Sequence, residues 1–81
     1  MTAEMIEKFL DNNEGKSQAV NIHFKERNTI TGIFIKGRDY EEMKAKNFWR
    51  IVNTNVVGEW DKTKDMSLSR LYNGLSFTKL S

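Results

Sequence analysis

With 81 residues, the chain has room for one domain and a thin core; such a domain buries about 60% of the surface its unfolded chain exposes and gains from oligomerisation. It contains no cysteine, which excludes a disulfide framework and a thiolate metal site and fits a reducing compartment. The net charge of +2 is too small to announce a nucleic-acid partner, but it is unevenly laid: residues 1–14 carry four acids against Lys8, and residues 16–50 carry eight bases against four acids.

No apolar run approaches the roughly 20 residues that span a bilayer. The opening "MTAEMIEKFLDNNE" is acidic and amphipathic, unlike a signal peptide, so a cytoplasmic location is expected. A helix is expected over about residues 3–12, with Thr2 as N-cap and Met5, Ile6, Phe9 and Leu10 on one face packing against the core. "DNNEGK" should end it, with Gly15 in the left-handed conformation. From Ala19 the period becomes two: Val20, Ile22 and Phe24 alternate with Asn21, His23 and Lys25, giving a strand over about 19–25. "KERN" supplies a turn, and "TITGIFI" a second strand over about 29–36, in which Gly32 marks a bulge or sharp bend. "KGRD" breaks the pattern. A third strand is expected over about 43–53, centred on "FWRIV", although 40–46 also admits a helix with Asp39 as N-cap and Glu42 as its capping-box partner. "NTNVVGEW" suggests a fourth strand over about 55–60, "DKTKDMS" a loop, and "SRLYNGLSFTKLS" a last strand over about 69–80. Of the two tryptophans, Trp49 and Trp60, one or both should belong to the core, and an exposed Trp60 would be an anchor for a partner.

Chemistry-bearing constellations are few. Tyr40 and Lys44 share the Tyr-x-x-x-Lys spacing, which resembles the active site of short-chain dehydrogenases. One helical turn apart, the ammonium would lower the phenol pKa for general acid work. A dinucleotide site also needs a strand, a Gly-rich turn and a helix, and the glycines at 15, 32, 37, 58 and 74 form no such cluster. Neither a nicotinamide cofactor nor enzymatic activity is therefore expected. His23, the one histidine, lies on the polar face of its strand without a second ligand nearby, and no metal or other cofactor is expected. Glu41 and Glu42 are adjacent and cannot face one another as an acid/base pair.

A helix followed by five short strands, with a glycine in the second, resembles the Sm-like family of Sm and Hfq-type proteins. The likeness covers most of the chain. "VNIHFKERNTITGIFIKGRDYEEM" is similar to the family's first motif, with Ile30, Gly32, Phe34 and Asp39 in its places, and "LYNGLSFTKL" to its closing strand, through Tyr72, Gly74, Phe77 and Leu80. The stretch between Gly32 and Asp39 is one residue longer than usual, Met43 and Lys44 stand where the family often has Asn, Asn73 stands where Sm proteins have Arg, and the Tyr-Lys-His of the Hfq type is missing. The resemblance implies a mainly β fold: an N-terminal α-helix and a five-stranded, strongly bent antiparallel Sm-like barrel, in a single domain over 1–81. The strand pattern also suits another small barrel of the SH3-like kind. By the resemblance, RNA would be bound through Asp39, Tyr40, Asn73 and Gly74, and subunits would self-associate through their edge strands. Tyr40 could stack a base, while Lys36, Arg38, Lys44 and Lys46 could hold phosphates. The alternative is a protein-interaction or structural module that has lost the RNA pocket, as Lys44 and Asn73 suggest.

Overall fold

The computed structural model describes residues 1–12 and 19–81, so the expected stop at Gly15 lies outside the described residues. The Thr2 hydroxyl accepts a hydrogen bond from the Met5 N–H at 3.2 Å, opening helix α1 (Ala3–Asn12). Ile6 is fully buried, with Phe9 and Leu10 packed on the core, whereas Met5 is 54% exposed and lies off the packed face.

Five strands follow: β1 (Val20–Phe24), β2 (Ile30–Phe34), β3 (Phe48–Asn53), β4 (Ser69–Asn73) and β5 (Phe77–Leu80). They form one antiparallel sheet in the order β4-β3-β2-β1-β5. The sheet is not closed. It is nevertheless strongly curled. Laid flat, its outer strands would stand about 19 Å apart, yet three residues, Gly74–Ser76, connect them. Phe24 of β1 and Tyr72 of β4 sit three strands apart in the order, about 14 Å in a flat sheet, yet their ring centroids are 5.8 Å apart. The curl wraps the buried cluster of Ile6, Val20, Ile22, Trp49, Ile51, Phe77 and Leu80.

Gly32 bends nothing out of register. It pairs with Val20 on one side and Asn53 on the other. A Cβ there would stand 2.6 Å from Ile51 Cγ2 and 2.8 Å from the Val52 carbonyl oxygen, so glycine permits close approach of β3. The register shift falls instead between His23 and Phe24, where β1 meets β5.

The expectation of a mainly β chain is corrected: of the described residues 43% are helical, the 3-10 turns included, and 33% are strand. Residues 40–45 form helix α2 (Tyr40–Ala45), so β3 starts at Phe48 rather than 43. The strand expected at 55–60 is a 3-10 turn, Thr54–Val56, running into helix α3 (Val57–Thr63). The strand expected over 69–80 is broken by a 3-10 turn at Gly74–Ser76. Side-chain turns mark these breaks. Asn53 Oδ1 accepts from the Asn55 N–H, Asp65 Oδ1 from the Ser67 N–H and Asn73 Oδ1 from the Leu75 N–H, each at 2.9 Å. Such bonds offer the backbone an alternative to the sheet ladder. Among the described residues no helix is long and apolar enough to cross a membrane.

Candidate functional site

The residues singled out by sequence gather around α2, where most are already engaged by the fold. Asp39 precedes α2 but makes no side-chain cap, and no capping box forms with Glu42. Its carboxylate instead accepts two bonds from Arg50, from Nε at 3.2 Å and from Nη2 at 2.7 Å. A bidentate, charge-assisted pair outcompetes a single N–H at a helix end. The Arg50 hydrogen bond holds the Asp39 carboxyl below its usual range, and Asp39 in turn raises Arg50.

Lys44 is bound to Glu7 of α1 and, at 2.9 Å, to Glu41 one turn back. These hydrogen bonds raise its pKa. Tyr40 is half-buried, its ring 6.1 Å from that of Trp49, with the Lys36 and Lys44 ammonium groups 5.2 and 5.5 Å from its centroid. Burial pushes the Tyr40 phenol up, against the lowering from Lys44, with Glu7, Glu41 and Asp11 adding to the rise. The Tyr-x-x-x-Lys spacing thus does place the pair on one helix, but the acid chemistry needs a lowered phenol and the surroundings give the opposite. Lys46 reaches Glu42 loosely, at 3.8 Å. Only Lys36 and Arg38 of the expected phosphate holders are exposed without a carboxylate partner among the described residues.

Asn73 and Gly74 belong to a structural knot. Asn47 adopts φ 62°, a left-handed conformation that asparagine tolerates. Its backbone carbonyl accepts from the Gly74 N–H at 2.8 Å, its Oδ1 accepts from Trp49 Nε1 at 2.8 Å, and its Nδ2 donates to the Met1 carbonyl at 3.0 Å. The Met1 ammonium donates to the carbonyls of Gly74 and Phe77, at 2.9 and 2.8 Å. Gly74 is buried against Asn47 and Ile6, and Asn73 holds its own turn. Trp49 is in the core; Trp60 is half-buried on α3 beneath Lys64, 5.4 Å from its centroid. His23 bridges the hydroxyls of Ser81 and Thr29, each at 3.1 Å. Among the described residues no group of three His, Cys, Asp or Glu could hold a metal.

An open feature lies elsewhere. A cleft of about 430 Å³ lies between the β1–β2 turn and β4. Its lining comprises Arg27 from the β1–β2 turn, Arg70 and Tyr72 from β4, Ile30 and Ile51, and, from the 3-10 turns Thr54–Val56 and Met66–Leu68, Asn55, Val56, Ser67 and Leu68. No carboxylate lines it, and neither arginine is ion-paired among the described residues. Arg27 sits over two rings, 5.1 Å from the centroid of Phe24 and 5.7 Å from that of Tyr72. The sequence signal was partial: Arg70 and Tyr72 alternate onto one face of β4, but only the curl brings Arg27 across to them. No family model matches the chain, and neither a curated protein nor a solved structure matches it.

Proposed function

We propose that the chain is a non-enzymatic module of the Sm-like kind that binds single-stranded RNA. One observation carries the reading: an open cleft holds two arginines, without carboxylate partners among the described residues, beside an aromatic cluster. Arginine joins phosphate recognition to stacking. The order of a helix and five curled antiparallel strands, with Gly32 inside the second, supports the Sm-like part. Lys36 and Arg38 would add phosphate contacts beyond the cleft, while Asp39, Tyr40, Lys44, Asn73 and Gly74 maintain the fold.

The test is fluorescence anisotropy of a labelled single-stranded oligoribonucleotide. The expected affinity falls as salt rises from about 50 to about 200 mM, with a log–log slope of about −0.7 per phosphate held. Retention that ignores salt, or no retention at the low end, would overturn the reading.

Self-association is a second reading with its own support. Among the described residues, β4 and β5 each pair on one side only. Leu71 on β4 and Leu75 just beyond it are 45% and 62% exposed. Open edges of this kind are templates for another strand. Light scattering should give a multiple of the 9.5 kDa chain mass, reduced by Leu71→Lys; a monomer at every concentration would refute it.

A further inference from the structure

The seat of Arg27 says more than its charge does. Phe24, one of the two rings beneath it, packs edge-on against Phe77, centroids 5.3 Å apart, and Phe77 is itself buried. The guanidinium therefore rests on rings anchored in the core, and it also lines the cleft. A planar cation held against aromatics on one side offers its other side to a second flat group. Arg70, which lines the same cleft, has no such seat among the described residues. Two side-chain amides, of Asn53 and Asn55, line the same cleft. Asn53 uses its oxygen for the Asn55 N–H, which leaves its NH₂ group, and the whole side-chain amide of Asn55, without a partner among the described residues.

Building on the RNA reading above, we propose that the cleft is a subsite for one unstacked nucleotide. The base lies on the Arg27 guanidinium, its edge meets the amides of Asn53 and Asn55, and the adjoining phosphate is held by Arg70. The site then selects single strands, because a duplex keeps its base faces covered. Arg27 contributes through its plane and Arg70 through its charge, so the two arginines are not equivalent. Lysine in place of Arg27 would keep the charge and lose the stacking surface.

Anisotropy titrations separate these roles. The probes are a labelled mixed-sequence single-stranded oligoribonucleotide and an abasic strand of the same length. Arg27→Lys should weaken binding of the intact strand about tenfold and leave the salt slope unchanged. Arg70→Gln should flatten the slope by about 0.7. The abasic strand should bind the unaltered protein about tenfold more weakly and be indifferent to Arg27→Lys. If the intact strand binds Arg27→Lys as it binds the original, or if the abasic strand binds equally well, the stacking subsite is refuted while RNA binding stands. If the unaltered protein retains no strand at about 50 mM salt, the RNA reading falls and the subsite with it. The abasic comparison needs no variant, so equal binding of the two strands refutes the subsite even where a substitution disturbs the fold, while Arg27→Lys assigns any base dependence to the cleft.

Discussion

The α2 side and the cleft side of this molecule hold similar residues in opposite states. Around α2, Arg50 is gripped by Asp39, Lys44 by Glu7 and Glu41, and the Asn47 side chain bonds Trp49 and Met1. At the cleft, among the described residues, Arg27 and Arg70 have no carboxylate partner and the Asn55 side chain has no hydrogen-bond partner. A cation already held by two carboxylates must lose those bonds before it can take a phosphate, whereas one waiting beside an aromatic seat gives up only water. Position in a basic stretch of sequence does not distinguish the two; the partner supplied by the fold does.

If the α2 side is built for stability, the largest losses of stability should come from its knot. Gly74→Ala places a Cβ 2.6 Å from Ile6 Cδ1 and against the Asn47 amide. It should cost about 3 kcal/mol of unfolding free energy in denaturant titrations. Asn47→Ala should follow, at about 2 kcal/mol, because Trp49 Nε1 loses its acceptor. The left-handed backbone at φ 62° adds to this loss. Asn47→Gly should recover the backbone share, which a melting comparison of the two variants reads directly.

The Asp39–Arg50 pair gives a pH signature. Asp39 is held below its ordinary 3.8 in the fold, so its contribution is complete above that value and is lost as pH falls through the lower, folded one. Asp39→Asn should therefore lower the melting temperature at pH 7, and the gap to the original protein should narrow below pH 3.8. A gap constant down to strong acid would mean that Arg50 does not discriminate the charged form. Lys44 mirrors this at the other end of the scale: its raised pKa gives stability that is present below 10.5 and lost as pH rises through the folded value. The smallest effect is expected at the cleft. Arg70→Gln should change unfolding free energy by no more than about 0.5 kcal/mol while altering the salt dependence of RNA binding. A large loss of stability there would collapse the contrast between the two sides.

The parts of the fold legible in the sequence are those with a short period. Val20, Ile22 and Phe24 alternate, and Met5, Ile6, Phe9 and Leu10 recur at helical spacing, because each pattern needs only local geometry. The segment 55–60 is ambiguous in sequence because Val56, Val57 and Trp60 satisfy a strand by composition and a helix by spacing, and the fold takes the helix. Asn53, whose side chain starts the turn, was the deciding signal. Asn73 was the corresponding signal for the break between β4 and β5. Of the expected site, Asp39, Tyr40 and Lys44 do gather at one place, but which carboxylate would claim which cation depends on α1 and β3 docking there. The cleft was not legible, since Arg27 and Arg70 come to line one cleft only when the sheet curls across β2 and β3, the two strands that separate β1 from β4.

The pairing of β1 with β5 also sets an order of events during synthesis. Residues meeting along that ladder are as much as 58 positions apart. At ordinary elongation rates the last strand is made about 3–12 s after the first. Through that interval β1 can fold against β2, but its other edge, along "VNIHF", stays uncovered. The final residues act as a latch, and the newborn chain is most prone to strand-to-strand aggregation before they arrive.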